Sequence, residues 1–186
     1  MNSIRSGLII ILMQLCLYGL AFADKWDDAD AATIRAKPDQ FTNMPDKIVN
    51  HLIKIGCTIP QSYGSNRLHN IIWGEFAKKG QKDWAVLCSR DKTSSVLIFW
   101  GGEVTCPSEI RMSKDRIWLT NTGERIEYAR MLNPAGIDNK EILVKNRKEE
   151  KSIVAEHMGV EEIFLEKGST IYFCHNGEWV EFIGTD

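Results

Sequence analysis

After its first 23 residues the chain has no long apolar run, no surplus of basic charge and no closely spaced cysteine pair. Each absence excludes something. Without a second apolar run, nothing past residue 23 offers the roughly 20-residue helix that crosses a membrane. Of 23 Lys and Arg and 25 Asp and Glu, only Arg5 lies in the opening stretch, so the remainder carries a net charge of −3. That balance gives no electrostatic footprint for nucleic acid and no polybasic patch for a membrane surface. Cys57, Cys88, Cys106 and Cys174 are spaced 31, 18 and 68 residues apart, without the close C-x2-C pairs of a four-thiolate zinc site. G-x-S-x-G, H-E-x-x-H and P-loop motifs are also missing. Composition and motif therefore nominate no catalytic residue, metal or cofactor.

The opening stretch reads as an address. MNSIRS carries one cation, Arg5, ahead of the apolar run from Gly7, and Ala21 and Ala23 form the A-x-A exit that a signal peptidase accepts. Residues 1–23 are expected to be a cleaved signal peptide, which places the remaining 163 residues in the periplasm or outside the cell. The rival is a membrane anchor, but polar DKWDDADAA follows directly. Four cysteines then remain, and an even count in an exported chain reads as two disulfides. Three pairings are open; Cys57–Cys88 with Cys106–Cys174 is preferred.

Residues 24–41 are polar and acidic and read as a flexible arm, with one disulfide-linked domain over 42–186. NMPDKIVNHLIKIG predicts a helix: Asn43 or Met44 caps it, Pro45 enters its first turn and Gly56 ends it. Ile48, Leu52 and Ile55 form one apolar stripe. The period then changes to two. Residues 69–76, 83–89 and 95–101 read as strands, the last two apolar on both faces and so central. RIWLT (116–120) and RIEYARML (125–132) predict a second hairpin around Asn121 and Gly123. Residues 133–157 are least legible, with EILVK as an edge strand and NRKEEKSIVAEH as a surface helix. GVEEIFLEKG reads as a short helix or turn. STIYFC and WVEFIG flank Asn176-Gly177, the strongest hairpin signal in the chain. The fold expected is α+β: an antiparallel sheet of roughly six to eight strands with an N-terminal helix packed on it.

Two stretches echo each other. Phe76-x-x-x-Gly80 leads into a strand ending at Cys88, and Phe164-x-x-x-Gly168 into one ending at Cys174, each followed by a second strand near a Trp. They read as two related hairpin units. Gly74, Phe76, Gly80, Asp83, Ala85 and Val86 resemble the blade motif of FG-GAP and VCBS-type repeats over about 15 residues. That family's loop implies a calcium ion held by Asp and Asn oxygens; here Lys78, Lys79 and Lys82 stand in the loop, so calcium is not carried over. In order along the chain, GCTIPQ (56–61), GEFAKKGQKDWAVLCS (74–89) and the terminal G-x-D (184–186) resemble a group of uncharacterised exported bacterial proteins. That resemblance implies a family and no activity. Tyr172-x-Cys174-x-Asn176-Gly177 also resembles the Y-x-C-x-x-G start of one lysozyme-inhibitor family, but stands near the C-terminus instead of opening a barrel.

Adjacent strand residues point to opposite faces, so Cys174-His175 and Cys88-Ser89 make no dyad. His157 and Glu161 match an i, i+4 helical pair. Glu75, Asp83, Glu178, Glu181 and His175 are the acid–base candidates, and no spacing singles out a pair. Arg111, Arg116, Arg125 and Arg130 surround the middle hairpin, either as an anion site or as a charged sheet face. Trp73, Trp84, Trp100, Trp118 and Trp179 all fall on expected strands. Core filling accounts for any one of them; Trp84, Trp100 and Trp179 are the candidates for a solvent-facing platform. Two functions stand side by side. One is a non-catalytic exported binding module for a protein or polysaccharide; the other is a small hydrolase whose site is assembled only in the fold.

Overall fold

The computed structural model describes residues 24–104, 106–136, 141–145 and 150–184. The expected signal peptide lies outside the described residues, as do Thr185 and Asp186 of the G-x-D ending. The chain is broadly α+β and dominated by antiparallel sheet.

The stretch expected to be a loose arm is structured. Asp24 accepts a hydrogen bond from the Trp26 amide and caps a helix over Lys25–Ala32, whose Trp26 and Ala29 pack on the central core. Arg35 then locks the segment: its guanidinium reaches Asp30 at 2.6 Å and the fully buried Asp115 at 2.8 Å. The acidic composition that suggested solvation is half of an ion-pair network whose other half lies far along the chain. A second helix, named the groove helix for the groove it borders, spans Asp46–Lys54, with Ile48 and Leu52 buried as the stripe requires. Pro45 rather than Asn43 or Met44 holds the cap position, and Gly56 leaves the helix at φ +69°.

Strand β1 (Arg35–Ala36) pairs with β2 (Ile59–Pro60). The first large sheet has the order β3 (Ile71–Gly74), β4 (Asp83–Arg90), β5 (Thr93–Phe99), β6 (Glu109–Lys114). A 3-10 turn over Asp115–Trp118 follows, and then the ladder of β7 (Leu119–Asn121) and β8 (Ile126–Tyr128). Next come β9 (Arg130–Ala135), the hairpin β10 (Glu141–Lys145) and β11 (Glu150–Val154), then β12 (Gly159–Phe164), β13 (Gly168–His175) and β14 (Glu178–Ile183). The second large sheet runs β14-β13-β12-β9. The single sheet of about six to eight strands expected is thus two four-stranded sheets plus smaller ladders.

Alternation along β4 explains the layering. Ala85 and Leu87 face the central core with Val96, Ile98, Leu132, Val160 and Tyr172, so this core lies between the two sheets. Trp84, Val86 and Cys88 face outward, where Ile48 and Leu52 of the groove helix meet them. Ile171 and Phe173 on the far face of the second sheet pack with Ile153 and Ala155. Cys57 is bridged to Cys88, tying the groove helix to β4, and Cys106 to Cys174, tying the two sheets together. Two disulfides mark an oxidising, extracytoplasmic environment. Among the described residues no helix is long and apolar enough to cross a membrane.

Three local expectations change. Arg116, Ile117 and Trp118 turn instead of extending, and the run 125–132 divides at Ala129 between β8 and β9, which belong to different sheets. Residues 150–154 and 159–164, read as helix or turn, are strands. In β12 the charged Glu162 disguises the alternation; it is buried because Arg130, also buried, donates to it from Nε at 2.8 Å. His157 and Glu161 accordingly share no helix: His157 is buried between the carbonyls of Met158 and Cys174, and Glu161 accepts from Ser169. The two echoing hairpins each belong to a three-stranded meander, β3-β4-β5 and β12-β13-β14, but β4 and β5 are the central strands of their sheet whereas β14 is the edge of its own. Their cysteines differ in orientation. Cys88 faces the outer core beneath the groove helix, whereas Cys174 shares the inward face of Tyr172.

Candidate functional site

The outward face of the first sheet carries an aromatic row. Register places Trp73 opposite Trp84 and Trp84 opposite Phe99, so three rings from three neighbouring strands line up across the sheet. The groove helix is too short to cover this face. It packs over Val86 and Cys88, where the disulfide anchors it, and leaves an open groove of about 870 Å³ over β5. Trp84, Leu97 and Phe99 form the floor, Ile48 and His51 one wall, and Trp100 an end. The His51 ring meets Phe99 edge-on at 5.6 Å.

Polar groups ring the opening. Lys47, Lys82, Ser108 and Glu109 line it. Lys82 Nζ lies 4.6 Å from the Trp73 ring centroid and 5.1 Å from that of Trp84, a cation over two neighbouring aromatic faces. Glu109 accepts from Ser95 Oγ and lies 3.8 Å from Arg90. Among the described residues neither Lys47 nor Lys82 makes an ion pair.

The three tryptophans singled out from sequence converge here in different degrees. Trp84, 8% exposed, contributes to the floor, and Trp100 closes the end. Trp179 stacks on Trp100, ring centroids 5.7 Å apart and 17° from parallel. Their indole N–H groups donate to Ser108 Oγ and the Pro107 carbonyl, holding the segment that also carries Cys106. Trp73 is 58% exposed beyond Lys82. Trp118 is core, donating to Ser113 Oγ. Lys47, His51, Lys82 and Phe99 were not nominated from sequence. Phe99 takes the outward face while Ile98 turns inward, and was findable; Lys47 and His51 depend on where the helix docks, and Lys82 on the cross-strand register of the tryptophans beneath it.

The acid–base candidates are placed otherwise. Asp83 is fully buried and its oxygens accept from the amides of Phe76, Ala77 and Gly101 and from Gln81 Nε2, all at 2.8–3.0 Å. It closes the β3–β4 turn, where a calcium-binding loop would direct its oxygens to the ion. Among the described residues no group of three His, Cys, Asp or Glu side chains is placed to hold a metal. Register sets His175 opposite Glu178 across the β13–β14 turn, but among the described residues no side-chain hydrogen bond or ion pair joins Glu75, Asp83, Glu178, Glu181 and His175 to one another. Of the four arginines, Arg116 pairs with Asp24 and Asp27 and Arg125 with Glu127, whereas Arg111 and Arg130 converge on Glu162 and on the Trp118 ring.

One serine–histidine contact was missed from sequence. Ser62 Oγ lies 2.8 Å from His69 Nε2, and His69 Nδ1 lies 2.9 Å from the Arg67 carbonyl. The same Nε2 also accepts from the Ser62 amide at 2.9 Å. The flanking amides of Gln61 and Tyr63 are bound to the carbonyls of Ile34 and Tyr128. With its own and neighbouring amides committed, Ser62 has no adjacent pair of donors for an oxyanion, and the contact closes the loop.

No family model, curated protein or solved structure matches this chain.

Proposed function

We propose that the chain is an exported glycan-binding protein, acting in the periplasm or outside the cell after loss of residues 1–23. The observation that carries this reading is the cross-strand row of Trp73, Trp84 and Phe99 running into an open groove. A sugar ring presents an apolar C–H face and an equatorial rim of hydroxyls. An aromatic floor under Lys, His, Ser and Glu side chains offers a partner for each. Asp83 is buried and fully engaged, and His175 and Glu178, though cross-strand neighbours, share no side-chain hydrogen bond and lie outside the groove, which gives a hydrolase less support.

The test is isothermal titration against a panel of soluble cell-envelope polysaccharides, using wild type, Trp73→Ala and Trp100→Ala with matched circular dichroism. Loss of one stacking ring is expected to weaken binding about tenfold, or about 1.4 kcal/mol. Silence across the panel, or a stoichiometric complex with a purified envelope protein that competes for the same groove, overturns the reading.

A further inference from the structure

We propose that this groove selects acidic glycans, with Lys82 as the specificity-determining residue and Lys47, on the helix that borders the groove, as a second anion contact. The inference rests on the glycan reading and sharpens it.

Lys82 occupies the place where a neutral ring would stack. Its ammonium lies over both Trp73 and Trp84, covering the start of the aromatic row. A neutral sugar reaching those rings displaces a cation from two aromatic faces and returns nothing to it. A uronate carboxylate, or a sulfate or phosphate ester on the sugar, takes the same ammonium as its ion-pair partner while the ring settles on the uncovered aromatic surface. The exchange is between two favourable contacts, so it costs little for an anion and more for a neutral ring.

The remaining charges point the same way. Lys47, in the first turn of the groove helix, lines the groove and makes no ion pair among the described residues. Glu109 is the lining carboxylate, and Ser95 and Arg90 already engage it. Asp83, next to Lys82, has its charge buried among three backbone amides and Gln81, and does not compete for the ammonium. Lys78 and Lys79 sit exposed in the same turn and, with Lys82, outnumber its Glu75, while Asp46 stands beside Lys47, so the turn flanking the row is net positive although the chain as a whole is acidic. A local field of that kind draws a polyanion toward the groove and weakens with salt.

The experiment compares two glycans with their uncharged twins: polygalacturonate and hyaluronan, each beside its carboxyl-methylated ester, titrated into the folded protein at about 0.05 and 0.5 M salt. The acidic forms are expected to bind at least about tenfold tighter than the esters at low salt, with the preference shrinking at high salt. Lys82→Gln is the decisive variant, because its two effects have opposite signs: weaker binding of the acid and stronger binding of the ester, whose path to Trp73 and Trp84 is cleared. A variant that merely disturbed the fold would weaken both. Lys47→Gln is expected to weaken the acid alone. Equal affinity of wild type for acid and ester, or a preference that survives in the Lys47→Gln, Lys82→Gln double variant, overturns the acidic selection and leaves glycan binding standing. Failure of all four polymers to bind removes both readings.

Discussion

At the residue scale, two groups that resemble chemistry are committed to architecture. Asp83 gathers three amides and a glutamine into one turn, and His69 joins Ser62 to the Arg67 carbonyl. Burial lowers the His69 pKa below the usual histidine range. The unfolded chain takes up that proton near pH 6.5, while the folded chain takes it up only at lower pH. The neutral form's contribution is therefore complete above about pH 6.5 and is lost as pH falls through the folded value. Wild type is expected to exceed His69→Gln in urea midpoint near neutrality, and the gap is expected to narrow toward about pH 5. A gap that stays constant over that range would show that His69 titrates alike in both states. Trp84 and Phe99 were legible on one face from strand alternation, but the Trp100–Trp179 stack, packed against the central core, and Lys82 were not. The neighbours of Lys82 in sequence mark a lysine-rich turn, and only the cross-strand register reveals two tryptophans beneath it.

At the element scale, signals confined to one segment predicted well. The groove helix follows its Ile48–Leu52 stripe, and β4 and β5 follow their alternation on two buried faces. Asn176-Gly177 forms the β13–β14 turn with φ of +50° and +86°. Gly177→Ala is expected to cost about 1–2 kcal/mol in urea unfolding, because a Cβ strains the left-handed region; an unchanged midpoint would mean the turn relaxes to another form. Elements that depend on distant partners were illegible. The helix at Lys25–Ala32 is held by Arg35 and Asp115, and β12 carries a glutamate in its core that only Arg130 makes tolerable. Local composition shows the charge and says nothing of its partner. Trp118 departs from strand for a related reason: the 3-10 turn seats it beneath the Arg130 guanidinium, 4.4 Å from its ring centroid.

At the scale of the molecule, two sheets share a central core while a helix covers one outer face and the β10–β11 hairpin packs with the other. The two disulfides act at different levels. Cys57–Cys88 closes 31 residues and joins a helix to its own sheet; Cys106–Cys174 closes 68 and joins the sheets. Replacing Cys106 and Cys174 by serine is expected to reduce unfolding free energy by about 2–5 kcal/mol. Tryptophan emission should shift as well, because the stack of Trp100 on Trp179 lies beside the bridge. A lower midpoint with unchanged emission would show the aromatic pair standing without its covalent neighbour. Cysteine count and spacing made two bridges readable, whereas the division into two sheets was not, since hairpin signals carry no information about which sheet a hairpin joins.

That stack has a consequence in time. The floor of the groove is complete once β3, β4 and β5 have paired, but Trp179, which backs its end wall, arrives on β14, the last strand described. A chain emerging N-terminus first therefore has an aromatic shelf early and a backed end wall only late. The stack of Trp100 on Trp179 should then form late in biogenesis, reporting that the second sheet has docked and the long-range bridge has been oxidised.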